Sequence, residues 1–123
     1  MKSTCGTDII EIERIKKSIE KFGQRFLNTV FTENEIKYCE SKNGQKYQHY
    51  AARFAAKEAV FKALSNNINA PEEWKSIEIL SEENGRPKVN LKIDVQNLEN
   101  IDISLSHCKM YAVANVVANL KEG

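Results

Sequence analysis

Residues Arg53-Phe54-Ala55-Ala56-Lys57-Glu58-Ala59-Val60-Phe61-Lys62-Ala63-Leu64 carry four charges in a run otherwise free of polar side chains. On a helix at about 100° per residue, the charges fall into two narrow stripes, Arg53/Lys57 and Glu58/Lys62, roughly 140° apart. Phe54, Ala55, Ala59, Val60, Phe61, Ala63 and Leu64 cover the rest of the circumference. A helix that is apolar nearly all round is a buried helix, so the fold has to be built around this element. Buried charges persist only when paired, hydrogen-bonded or bound to a metal. Two readings of Glu58 and Lys62 follow. On a solvated face they are an i, i+4 pair in its favourable orientation, contributing a few tenths of a kcal/mol. At the mouth of a cleft they are binding groups.

The N-terminal segment bears on that choice. Gly6-Thr7-Asp8-Ile9-Ile10-Glu11-Ile12-Glu13-Arg14-Ile15 reads as a short apolar strand running into a helix. Asp8 lies in its apolar part, close to a glycine that permits near approach of backbone. Aspartate in a short strand runs against propensity; alone it reads equally as a turn or cap residue. Set beside Glu58 on the apolar helix, it points to a magnesium site. Magnesium takes one or two protein carboxylates, keeps several waters and is completed by substrate phosphates.

The 123 residues suffice for one domain with a real core, spanning 1–123, and leave no room for a second. No apolar run approaches membrane-spanning length, and the first residues lack the apolar core of a signal peptide. Cys5, Cys39 and Cys108 are an odd number without a C-x-x-C spacing, which fits a reducing, cytoplasmic setting and argues against zinc. Net charge is only +1, and the strands carry no aromatic ladder, so a nucleic-acid-binding or nuclease function is disfavoured. The charge is nevertheless uneven. Arg14, Lys16, Lys17, Lys21 and Arg25 are opposed only by Glu20, which makes either a solvated helix face or a docking surface for an acidic partner.

Periodicity gives the remaining order. Glu13 to about Lys21 is an amphipathic helix with Ile15, Ser18, Ile19 and Phe22 inward; Gly23 interrupts it, and a short helix covers Arg25–Val30. Thr32-x-x-Glu35 is a capping box opening a helix to about Ser41. The long helix is expected from about Gln45 to Ser65, with 66–71 as a loop. Asn84-Gly85 predicts a hairpin between strands at 76–80 and 88–93, and 94–100 reads as a short helix. Ile101, Ile103, Leu105 and His107 share one face of a strand, with Ser104 and Ser106 on the other. Residues 111–118 are apolar enough for a central strand. Helices first and then a mainly antiparallel sheet define an α+β fold. His107 and Cys108, adjacent in a strand, point to opposite faces and cannot form a thiol–imidazole pair.

Together these elements resemble the bacterial holo-acyl-carrier-protein synthases, the short, single-domain phosphopantetheinyl transferases. The resemblance is collinear over essentially the whole chain. It rests on Gly6-x-Asp8 followed by Arg14, on Arg53-Phe54-Ala55-Ala56-Lys57-Glu58-Ala59 with Lys62, and on Ser104-Leu105-Ser106-His107 before a Tyr-Ala-x-Ala strand. Thr32-x-x-Glu35 and Asn84-Gly85-x-Pro87 fall at matching places. Ser65-Asn66-Asn67 stands where the family usually has Gly-Thr-Gly, and Thr4 where a first glycine is common. Asparagine tolerates left-handed backbone angles, so the turn after the long helix is expected to persist.

The resemblance implies the phosphopantetheinyl transferase fold and transfer of the phosphopantetheine arm of coenzyme A to a serine of apo-acyl carrier protein. Adenosine 3',5'-bisphosphate is released, in support of fatty acid biosynthesis. It implies magnesium held by Asp8 and Glu58, Lys62 at the phosphates, and Arg53, Ser106 and His107 holding coenzyme A. Arg14, with Lys17, Lys21 and Arg25 around it, matches the surface that receives the acidic carrier. Homotrimers with active sites between subunits are typical of the family. On chemical grounds the serine must lose a proton; Glu58, directly or through a water, is the first candidate base, and Glu35 a weaker one. The competing reading is a non-catalytic docking module, which would use the basic helix but would not need Asp8, Glu58 and Lys62 together.

Overall fold

The computed structural model describes residues 1–68 and 73–122. Strand β1 (Lys2–Glu11) runs directly into α1 (Ile12–Phe22), followed by α2 (Gln24–Val30), α3 (Glu33–Glu40) and α4 (Lys46–Ala63). Strands β2 (Ile77–Ser81), β3 (Pro87–Leu91), β4 (Leu98–His107) and β5 (Tyr111–Leu120) complete the chain. Every ladder is antiparallel, in a three-stranded sheet β1-β5-β4 and a hairpin β2-β3. This is the expected α+β architecture, with 111–118 inside the central strand. The first strand is longer than its apolar stretch predicts. It has ten residues and pairs along its whole length with β5, so the two ends of the chain are joined.

Helix α4 lies across the inner face of that sheet and is buried almost all round. Ala51, Ala52, Ala55, Ala56, Ala59 and Ala63 are at most 4% exposed, as are Ala112, Ala114 and Ala118 of β5. Alanine on both surfaces lets helix and sheet approach closely, and Gly6 of β1 takes this furthest. A Cβ there would sit 2.0 Å from the Ala59 carbonyl oxygen and 2.9 Å from the Ala63 nitrogen. Gly6→Ala is therefore expected to cost about 3 kcal/mol, because the clash is with backbone and cannot be relieved by a rotamer change; urea unfolding would measure it.

The buried charges are those of the other stripe. Arg53 and Lys57 are 3% and 0% exposed, whereas the Lys62 side chain is 53% exposed. Lys57 Nζ donates to Glu35 Oε1 at 2.8 Å, to the Ile77 carbonyl at 2.6 Å and to the Trp74 carbonyl at 3.1 Å. The capping box forms as expected: Thr32 Oγ1 accepts from the Glu35 N–H, and Glu35 accepts from the Thr32 N–H. Glu35 also accepts from the Ile79 N–H, so α3, α4 and β2 meet on one fully buried carboxylate.

Two local expectations fail, and a third holds by a different route. Residues 94–100 form no helix: Asn97 takes a left-handed φ of 65° and Leu98 already pairs with Leu120 of β5. Ladder pairing outcompetes a segment too short to nucleate a helix. Ser65-Asn66-Asn67 does turn, but through Asn67 and Ile68 N–H bonds to the Leu64 carbonyl. Neither asparagine is left-handed; among the described residues, positive φ outside glycine occurs only at Asn43 and Asn97. Phe22, expected inward, is 49% exposed. The hairpin turn does contain Gly85 at a φ of 86°, while residues 69–71 of the predicted loop lie outside the described residues.

Candidate active site

The β1–α4 contact brings Asp8 and Glu58 together. Both line one cleft of about 280 Å³ with Ile9, Ile10, Arg14 and Phe54. Burial pushes the Glu58 carboxyl above its ordinary range, Asp8 pushes it further, and Lys62 opposes both. A carboxylate whose charge is disfavoured by burial and by a neighbouring carboxylate forms with it a donor set suited to a hard divalent cation. Among the described residues, no group of three or more His, Cys, Asp or Glu side chains is arranged to hold a metal. The fit is thus to an ion that keeps water and ligand oxygens around it, as magnesium does, and not to one enclosed by protein.

Lys62 does not pair with Glu58 along the helix. Its Nζ lies 3.1 Å from Asp8 Oδ1 and donates to the Thr7 carbonyl at 2.9 Å. The ammonium is thereby held on the strand carboxylate rather than on Glu58. Arg14, in the first turn of α1, borders the same cleft. Lys17, Lys21 and Arg25 are exposed along α1 and α2, and Arg25 lines a shallow apolar hollow with Phe22, Phe26 and Thr29. Glu35 is corrected as a candidate base: it is fully buried and accepts from Thr32, Lys57 and Ile79.

The remaining residues form a second group. Arg53 lies 4.0 Å above the Tyr38 ring and bonds Ser81 Oγ, and its Nε is buried without a partner. The His49 ring stands edge-on to Tyr38 and to His107, with centroids 5.5 and 6.1 Å apart. Burial first, then Arg53 and Lys42, hold His49 below its usual range. Positive charge beside aromatic rings is suited to a phosphorylated aromatic ligand. Sequence reasoning missed His49, because its partners Tyr38 and His107 come from separate elements. Ser106 does not join this group: on β4 it points to the face opposite His107. The Asp8/Glu58 cleft is lined by none of Arg53, Ser106 or His107.

The family model described as the 4'-phosphopantetheinyl transferase superfamily matches residues 4–116. The chain belongs to that superfamily. It is 49% identical to the holo-[acyl-carrier-protein] synthase of Ruminiclostridium cellulolyticum over 98% of this chain and 94% of that protein. It is 48% identical to the synthase of Protochlamydia amoebophila over 91% and 93%. The crystal structure of the Bacillus anthracis synthase in complex with CoA (3',5'-ADP) superposes with a TM-score of 0.79 at 34% identity, covering 96% of each chain. The Chronobacterium ammoniagenes ACPS–CoA complex gives 0.85 at 25% identity, covering 99% of this chain and all of that one.

Proposed function

We infer that this chain transfers the phosphopantetheine group of coenzyme A to a serine hydroxyl of apo-acyl carrier protein, using magnesium held by Asp8 and Glu58. Adenosine 3',5'-bisphosphate is released, and the product serves fatty acid biosynthesis in the cytoplasm. The observation that carries the reading is the convergence of Asp8, Glu58 and Arg14 on one cleft in a chain of this superfamily. Magnesium bound there supplies neutralisation of charge on the pyrophosphate oxygens. Lys62, held on Asp8 beside the cleft, adds a second positive charge for those oxygens. Glu58, whose carboxyl is pushed up by burial and by Asp8, takes the serine proton directly or through a water. Little covalent chemistry falls to the protein, so positioning dominates.

Arg53 and His107, joined by His49, hold the phosphorylated nucleotide end of coenzyme A, while Ser106, on the opposite face of β4, is not part of that cluster. That division supports a homotrimer with active sites between subunits, because one chain keeps the carboxylate cleft and the cationic cluster apart. The outer face of the sheet supports it too: Ile9, Tyr111 and Val117 are 64%, 42% and 39% exposed there, more apolar surface than a free sheet face favours. Sedimentation of the pure protein tests this, and a monomer would overturn it.

The acidic carrier docks on Arg14, Lys17, Lys21 and Arg25, and Arg14 links docking to the cleft that receives the serine. Replacing Lys17 and Lys21 with glutamate is expected to raise KM for the carrier about tenfold and flatten its salt dependence. The value for kcat should stay close to the parent, since rim charges act through encounter. Steady-state kinetics from 50 to 500 mM salt, in round numbers spanning strong to weak screening, would check it.

Mass spectrometry of apo-acyl carrier protein incubated with the protein, coenzyme A and magnesium tests the activity. Gain of one phosphopantetheine, abolished by a chelator, is expected. No gain with several carriers and a folded protein would leave the docking-module reading.

A further inference from the structure

We propose that the buried Glu35–Lys57 pair is a positioning element for the cleft carboxylates: it fixes the rotation of α4 that aims Glu58 at Asp8. The inference rests on the reading of Asp8 and Glu58 as magnesium ligands.

Lys57 and Glu58 are consecutive on α4, so their side chains leave the helix about 100° apart. Holding one in place holds the other. Lys57 is held unusually completely: its three N–H donors meet three acceptors, Glu35 Oε1 on α3, the Ile77 carbonyl on β2 and the Trp74 carbonyl just before it. Glu35 is fixed in turn by the Thr32 and Ile79 N–H groups, and neither side chain is exposed. On its other side α4 meets the sheet through Gly6 and alanine methyls. Those contacts set the separation closely but, being small and smooth, define rotation poorly. A rotation of about 20° would move a side-chain tip roughly 5–6 Å from the helix axis by about 2 Å. Metal–ligand distances tolerate only about 0.2 Å. Stability alone does not account for the pair either, since well-packed apolar residues commonly replace buried ion pairs without loss.

The test uses the full chain carrying Glu35→Gln and Lys57→Met together, which removes both charges and so strands neither. Calorimetric titration of magnesium into chelator-treated protein is expected to give a Kd raised at least about tenfold, the range seen when the partners of metal ligands are removed. The KM for magnesium should rise in parallel, with kcat at saturating magnesium within a few-fold of the parent. A pair that only stabilises the fold would lower Tm and leave the Kd of the folded protein unchanged; that result overturns the proposal. Should the double variant not fold, Glu35→Asp keeps both charges and draws the carboxylate back by one methylene. A weakened Kd there supports the proposal, and an unchanged one overturns it. Asp8→Ala separates the two levels: if it binds magnesium as tightly as the parent, the ligand reading itself fails and takes the proposal with it.

Discussion

Replacing Glu58 with glutamine is expected to lower kcat/KM by on the order of 10²–10³, the range lost when one preorganised charge-stabilising group is removed, while the metal-free protein becomes more stable at neutral pH. The two effects share one origin. Burial and Asp8 both raise the Glu58 carboxyl's proton affinity above the ordinary range, so the folded chain holds the charged form at a disadvantage. For an acid whose folded pKa is raised, the folded state binds more protons than the unfolded state between the two values, and stability falls as pH rises through that window. Below the ordinary carboxylate range both states are protonated, and the substitution should change little. Above the raised value the parent carries the full disadvantage and glutamine does not. Thermal melts of parent and variant should therefore coincide at acid pH and separate as pH rises, the variant melting higher. Added magnesium should raise Tm of the parent only, since a ligand bound by the native state stabilises it by mass action. A variant that keeps turnover, or melts lower at neutral pH, would sink the assignment of Glu58 to the site.

This opposition of stability and activity explains which parts of the molecule could be read from sequence. The run from Arg53 to Leu64 identified the central helix because an all-round apolar circumference has one physical outcome. The same run misdirected attention within it. Glu58 and Lys62 satisfy an i, i+4 rule that any reader of sequence sees, yet Lys62 turns to Asp8 and Thr7 of β1, partners that only the fold supplies. The Arg53/Lys57 stripe had equal claim to the argument about buried charge. Applied there, that argument would have demanded a buried acid, and Glu35 was already conspicuous in its capping box. What the box conceals is that Glu35 Oε1 also accepts from Lys57 Nζ, and that the second oxygen accepts from the Ile79 N–H. Asp8 and Glu58 were legible as a pair because each was locally out of place: one in a strand, the other on an apolar helix. His49 was not, because a lone histidine on a mixed helix face carries no signal until Tyr38 and His107 are brought to it. The false helix at 94–100 has the complementary cause, since local composition cannot anticipate that β4 extends to meet the end of β5.

Truncating one member of the buried pair is expected to have the largest effect on stability. Lys57→Met keeps the length and the apolar stem but removes the ammonium, leaving Glu35 fully buried with only two N–H donors, from Thr32 and Ile79. The Ile77 and Trp74 carbonyls lose a donor at the same time. An uncompensated buried charge of this kind costs about 4 kcal/mol, a fall in Tm of roughly 15 °C for a domain of this size. Glu35→Gln alone should lose less, because an amide oxygen still accepts from Lys57, although its NH₂ then opposes the Ile79 N–H. The double variant should recover most of the loss, since no charge is then stranded. The signature is non-additivity: urea unfolding of the four proteins should give a coupling of at least about 2 kcal/mol, at the upper end for residues in direct contact. Additive losses would mean that the 2.8 Å contact carries no coupling. The hold of α3 and β2 on α4 would then have to come from apolar packing around Tyr50, Phe31 and Ile77.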